Sequence, residues 1–161
     1  MRIPEPFFPL LNRVMRILLN SPLHGLMSGS VMVVYYTGRK TGKRRWTPVR
    51  YVREDGIVVC LTARETGWWP NFLGSCEVEL QLAGRRVAAR ASAYPDDTER
   101  KTSVLRLVLQ QFPGDAPYHG IVAKRGEEVS AADFEQAVAR DVVVSFELRK
   151  SARSATGRSG Q

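Results

Sequence analysis

A chain of 161 residues with 43% hydrophobic content bounds the fold to one domain with a real core. Its 24 Lys and Arg against 16 Asp and Glu leave a formal charge of +8, pointing to an anionic partner: a phosphorylated cofactor, anionic lipid or nucleic acid. Two cysteines and two histidines offer no plausible metal set, and no apolar run approaches the length of a membrane span.

Pro4, Pro6 and Pro9 make an irregular start. From Leu10 to Asn20 the apolar positions follow a helical period: Leu10, Leu11, Val14, Met15 and Leu18 on one face, with Arg13 and Arg16 on the other. Ser21-Pro22 ends the pattern. The segment reads as a helix packed across the core. A basic amphipathic helix in peripheral contact with a membrane is the second reading. His24, in the loop that follows, has no second ligand at metal-binding spacing.

Val31–Thr37 is β-branched and aromatic and reads as a buried strand. The turn after it, Gly38-Arg39-Lys40-Thr41-Gly42-Lys43, runs into Arg44 and Arg45, so five cations stand together with no acid among them. Like charges so crowded repel, and an anionic ligand is the natural compensation. Glycines at both ends let the backbone turn tightly and present N–H groups to an anion. A second strand is expected over Arg45–Arg53; Pro48 lacks a ladder donor, so that strand lies at an edge or is bulged there.

Glu54-Asp55-Gly56 is a hairpin turn, and Ile57–Thr62 a third, apolar strand. Trp68–Ser75 reads as one short helix, with Pro70 harmless in its first turn. Trp68 and Asn71, three apart, share a face; Trp69 diverges and packs inward. Glu77–Ala83 and Arg86–Tyr94 alternate as a hairpin. Pro95-Asp96-Asp97 opens a helix whose buried stripe is Val104, Leu105, Val108, Leu109 and Phe112. After a charged connection holding Tyr118 and His119, Ser130 caps a short helix and Asp141–Leu148 forms the last strand. Residues 151–161 carry no apolar anchor and read as a disordered basic tail, which leaves 1–150 as the folded unit. Three meandering strands, a hairpin and a final strand make about six, a mainly β, small antiparallel barrel flanked by helices.

No nucleophilic triad, paired-carboxylate constellation or phosphate-loop motif is present, so hard chemistry, if any, comes from a bound cofactor. YYTGRKTGKRRWTPVRYV, followed after an intervening strand by GWWPNF, resembles the deazaflavin-dependent nitroreductase family; TGRKTG and W-x-x-N are its most specific pieces. The resemblance implies an FMN-binding split-barrel-like fold, a six-stranded antiparallel split β-barrel. It also implies a reductase passing hydride from the reduced deazaflavin coenzyme F420 to a quinone, enone or nitro compound, with FMN as the alternative cofactor. It sets Arg39, Lys40, Thr41, Lys43 and Arg45 against the anionic coenzyme tail, and Pro48, Thr62, Ala63, Trp68 and Asn71 near the ring or its linker. Tyr118 and His119 are the candidates on the substrate side, and no metal is called for.

Two other readings remain at this point. One is a non-catalytic split barrel binding flavin, haem or fatty acid. The other is a nucleic-acid-binding β-domain, against which the cations gather in one turn instead of lining a face. The expected partner is a small-molecule acceptor; monomer and homodimer both fit. Two cysteines without metal spacing, in a sequence showing no secretory signal, lead one to expect reduced thiols and a cytoplasmic protein, at the membrane's inner face if the first helix touches lipid.

Overall fold

The β-branched run Val31–Thr37 forms β1 in a computed structural model that describes residues 29–122 and 128–149. The helix expected over Leu10–Asn20, its membrane reading, His24 and the tail 151–161 lie outside the described residues. After β1 come β2 (Arg44–Arg50), β3 (Val52–Glu54), β4 (Ile57–Ala63), β5 (Cys76–Leu82) and β6 (Arg85–Tyr94). Helix α1 (Thr98–Gln111), helix α2 (Ala131–Arg140) and β7 (Asp141–Leu148) complete the order. Two 3-10 helices interrupt it, at Trp69–Phe72 and Pro113–His119.

The sheet has seven strands, where the sequence pattern suggested six. The stretch expected as one strand over Arg45–Arg53 is two. β2 pairs with β1, and β3 pairs with β4. In the strand order β2-β1-β5-β6-β7-β4-β3 these two stand at opposite edges, although Tyr51 alone separates them in the chain. An antiparallel sheet whose two edges are joined by one residue must curl until the edges meet, giving a barrel with a seam. β2 touches β4 across it. Pro48, opposite Val33, is on the edge strand β2, where a missing N–H breaks no ladder.

Inward positions of β1, β4, β5 and β7 fill the barrel: Met32, Val34, Val58, Cys60, Leu80, Val144 and Phe146, with Phe72 of the first 3-10 helix among them. Each such side chain contributes roughly 1.5–3 kcal/mol through loss of water contact. On the outer face, Val104 and Val108 of α1 pack on Val52, Val59 and Val143. The other side of α1 meets α2 through Leu105, Ala137 and Val138. Both helices start on capping side chains: Asp97 accepts from the Arg100 N–H at 3.0 Å, and Ser130 from that of Asp133 at 3.1 Å.

The buried stripe of α1 contains one cation. Lys101 is buried, and its ammonium donates to the Pro95 carbonyl at 3.1 Å, tying the helix to the end of β6. Burial pulls its pKa below the ordinary lysine value, and the Arg64 charge adds to this against Asp96, Asp141 and Asp97.

Burial pushes the Cys60 thiol well above its usual range, against a small opposing effect from the Val144 backbone. A thiol reacts as its thiolate. Cys60 is therefore expected to resist iodoacetamide at pH 8 in the folded protein and to react fully once it is unfolded, as mass spectrometry would show. Rapid labelling of the native protein at Cys60 would contradict its place in the core.

Candidate functional site

The basic turn between β1 and β2 has a fixed shape. Gly38 N–H donates to the Lys43 carbonyl at 2.9 Å, and the Gly38 carbonyl accepts from Gly42 at 2.8 Å and Thr41 at 3.3 Å. Gly42 has a φ of +65°, and a side chain at Gly38 would place its Cβ 2.8 Å from Thr41 Oγ1. Gly42 thus takes a backbone conformation that other residues rarely adopt, and a side chain at Gly38 would displace the Thr41 hydroxyl.

This turn forms one end of a groove of about 1110 Å³. Gly38–Thr41 line that end, and β2 supplies Arg45 and Thr47 to Arg50 along one side. The opposite side is built from Leu61 and Thr62 of β4, the loop Glu65–Gly67, and Trp68, Pro70 and Asn71. The 3-10 helix at Trp69–Phe72 sets that wall, with Pro70 in its first turn and fully buried Phe72 as its anchor.

Two hydrogen-bond systems hold the wall. Arg39 N–H donates to Asn71 Oδ1 at 2.8 Å, and Asn71 Nδ2 donates to the Trp68 carbonyl at 2.7 Å. Asn71 thereby clamps the basic turn to the Trp68 wall and leaves one further donor and one further acceptor site on its amide. Trp68 Nε1 donates to Thr62 Oγ1 at 3.1 Å, and Thr62 and Thr66 hydroxyls meet at 2.8 Å. Thr66 spends its proton on the Ala63 carbonyl at 2.8 Å, so Thr62 is the donor to Thr66. The chain of donors fixes the Trp68 ring at the groove's rim.

Losing both amide bonds in Asn71→Ala is expected to lower the melting temperature by about 3–8 °C. Circular dichroism on heating checks it; an unchanged midpoint would mean the clamp carries no stability.

Charge is distributed unevenly around the groove. Arg44 points to Glu79 at 3.7 Å, whereas Arg39, Lys40, Lys43 and Arg45 enter no ion pair among the described residues. Glu65 is neutralised by Arg140 at 3.1 Å. Its pKa lies below the usual carboxylate range, first through its own backbone N–H and then through Arg140. Arg50 is held by Asp115 at 2.6 Å. Tyr36, opposite Arg45 in the β1–β2 pair, lines the groove from the core side; burial raises its phenol pKa, and the Arg45 charge opposes the rise.

The structure gathers Arg39, Lys40, Thr41, Arg45, Pro48, Thr62, Trp68 and Asn71 around this groove. Lys43 and Ala63 are not in its lining; the carbonyl of the first closes the turn, and that of the second receives Thr66. Trp69 also lies outside it, half-buried on the core with its indole N–H on the Arg64 carbonyl at 3.0 Å. Tyr118 and His119 are elsewhere. Tyr118 is 79% exposed, and His119 is buried with Nδ1 2.5 Å from Asp141. Sequence reasoning missed Tyr36, Arg50, Glu65 and Thr66. Strand alternation through Met32 and Val34 could have put Tyr36 on the inner face; the pairing of Arg50 with Asp115 has no local signal.

A family model described as F420H(2)-dependent quinone reductase matches residues 16–125. No curated protein matches the chain in sequence. Among solved structures, a conserved hypothetical protein from Mycobacterium tuberculosis is similar at 15% identity and a TM-score of 0.53, with 81% of each chain covered. The haem storage protein HutZ from Vibrio cholerae is similar at 10% identity and a TM-score of 0.52, over 82% of this chain and 92% of that one. An F420-H2 dependent reductase, FDR-A, is similar at 19% identity and a TM-score of 0.47, over 72% of this chain and 93% of that one. The first two likenesses show the fold, a split-barrel-like antiparallel sheet.

Proposed function

The chain belongs to the F420H(2)-dependent quinone reductase family, and from that premise we propose that its groove holds reduced deazaflavin beside a small organic acceptor. The acceptor is a quinone or a related enone or nitro compound.

The residues present fit this cofactor. Its tail carries a phosphodiester and glutamate carboxylates, and the groove ends in Arg39, Lys40 and Arg45, cations with no partner among the described acids. Charge-assisted hydrogen bonds from such a set are the strong kind. The middle of the groove is more apolar, with Pro48, Val49, Leu61 and Trp68, and suits a flat ring. When bound, the reduced deazaflavin supplies the hydride. The chain's own part is to neutralise the tail, fix the ring against Trp68 and the β2 edge, and keep bulk water from the reacting face.

One observation carries the reading: the Arg39–Asn71 hydrogen bond joins the unpaired cations and the aromatic wall into a single groove, long enough for one extended anionic ligand. The test is anaerobic mixing of protein, reduced deazaflavin and a soluble quinone. Return of the oxidised deazaflavin absorbance at a rate proportional to protein is expected. Quinone reduction driven by reduced FMN and not by reduced deazaflavin would contradict it.

A further inference from the structure

We propose that Arg50 binds the acceptor's oxygen and holds the negative charge that forms there as hydride arrives. The inference rests on the deazaflavin reading of the groove.

Arg50 is the last residue of β2 and lines the groove at the end away from the basic turn. Four residues stand between it and Arg45, five strand steps that span about 16 Å at the usual strand rise. A ligand whose tail sits on the turn therefore has its middle over Thr47–Val49 and its far end at Arg50. This cation is too distant to share the tail with Arg39 and Lys40.

Arg50 is also the groove cation whose direction is fixed. Its Nε lies 2.6 Å from Asp115 Oδ2, and Asp115 is mostly shielded from solvent. Its guanidinium carbon stands 4.4 Å from the centre of the Phe112 ring. A guanidinium has five N–H donors. Asp115 engages the Nε side, and the stacked ring limits rotation. A charged donor held this way needs no reorganisation when a new anion appears beside it. Arg39 and Lys40, on an exposed turn, have no such support. Asp115 offsets part of the Arg50 charge, so Arg50 acts on a new oxyanion through its aimed N–H donors rather than as a free cation, while the groove acid Glu65 is bound to Arg140.

The chemistry needs such a group. Two electrons and one hydrogen pass as hydride to the conjugated carbonyl acceptor, and the deazaflavin is left oxidised. The acceptor's π electrons end on its oxygen as an oxyanion, beside the Arg50 N–H groups. A proton from water then gives the hydroquinone or the saturated ketone. Arginine stays charged at any working pH, so it stabilises the anion and does not itself supply the proton. The acceptor class that follows is a quinone or enone with an oxygen turned toward Arg50.

The test compares full-length Arg50→Gln, Arg50→Lys and Asp115→Asn with the parent. Melting temperature, deazaflavin affinity by fluorescence and steady-state reduction of menadione are measured. So is calorimetric binding of the anionic quinone 2-hydroxy-1,4-naphthoquinone to the protein loaded with oxidised deazaflavin. Arg50→Gln is expected to keep deazaflavin affinity within about 3-fold and to lose about 100-fold in kcat, together with most of its affinity for the anionic probe. Arg50→Lys and Asp115→Asn keep the charge and lose its fixed direction, and should fall by about 10-fold in kcat. These two variants carry the test if Arg50→Gln does not fold. Unchanged menadione turnover and probe binding in folded variants would overturn the proposal and leave the cofactor reading intact. Loss of deazaflavin affinity equal to the loss of turnover would also overturn it, by moving Arg50 into the cofactor site. A parent protein that binds no deazaflavin would instead defeat the reading beneath both.

Discussion

Phe72→Ala is expected to lower the folding stability by about 3–5 kcal/mol, the usual cost of emptying a buried aromatic site. Phe72 is 0% exposed and meets three other rings edge-on: Tyr36 at 5.4 Å, Trp68 at 5.5 Å and Phe146 at 6.3 Å. Tyr36 and Trp68 line the groove, while Phe146 lies in β7 inside the barrel. One side chain thus couples the site to the core, and removing it leaves a cavity that three rigid neighbours cannot easily fill. Phe72→Leu, closer in volume, should recover more than half of the loss. Urea unfolding of the three proteins measures this. A loss under about 1 kcal/mol for the alanine variant would show that the 3-10 helix packs without Phe72 as its anchor. The sequence pattern named Phe72 among the anchors of this segment but set the large truncation cost on Trp69, which is half-buried with its indole tip on the Arg64 carbonyl, so its truncation should cost less.

The double change Arg39→Ala with Lys40→Ala is expected to weaken deazaflavin binding by about two orders of magnitude or more. Each charge-assisted contact contributes roughly 1.5–3 kcal/mol, and two are removed. Stability should hardly move, because both side chains are exposed and in no ion pair among the described residues. The Arg39 bond that matters to the fold comes from its backbone N–H, which alanine keeps. Isothermal titration beside a thermal melt separates the two effects. Affinity that survives the double change would detach the basic turn from the cofactor.

Local pattern carried much of this. The β1 limits follow from a run of β-branched and aromatic residues broken only by Met32, and the hairpin at Asp55-Gly56, with φ of 49° and 81°, follows from turn chemistry that only certain residues adopt. The caps at Asp97 and Ser130 were legible for the same reason. Hidden from the pattern was the change of partner at Tyr51. Alternation tells which face a residue takes, not which strand it pairs with, so β2 and β3 read as one.

The site divides along the same line. Residues inside TGRKTG and W-x-x-N stood out because the crowded cations of one turn and the spacing of Trp68 and Asn71 are local facts, and because the family resemblance rests on the same two segments. Arg50 and Glu65 were not, since their partners Asp115 and Arg140 stand far off in sequence. Tyr118 and His119 were candidates by chain position, and the second 3-10 helix carries both outside the groove lining.

The most direct test of the account is a fluorescence titration of the intact protein with full-length coenzyme F420 and with a deazaflavin lacking the phosphodiester and glutamate tail. Both are run at low and at high salt. Tight binding of the full coenzyme, weaker binding of the tail-less one and a salt effect confined to the first are expected if the tail alone meets the basic turn. Equal affinity for the two compounds, or no salt dependence for the full coenzyme, would contradict it.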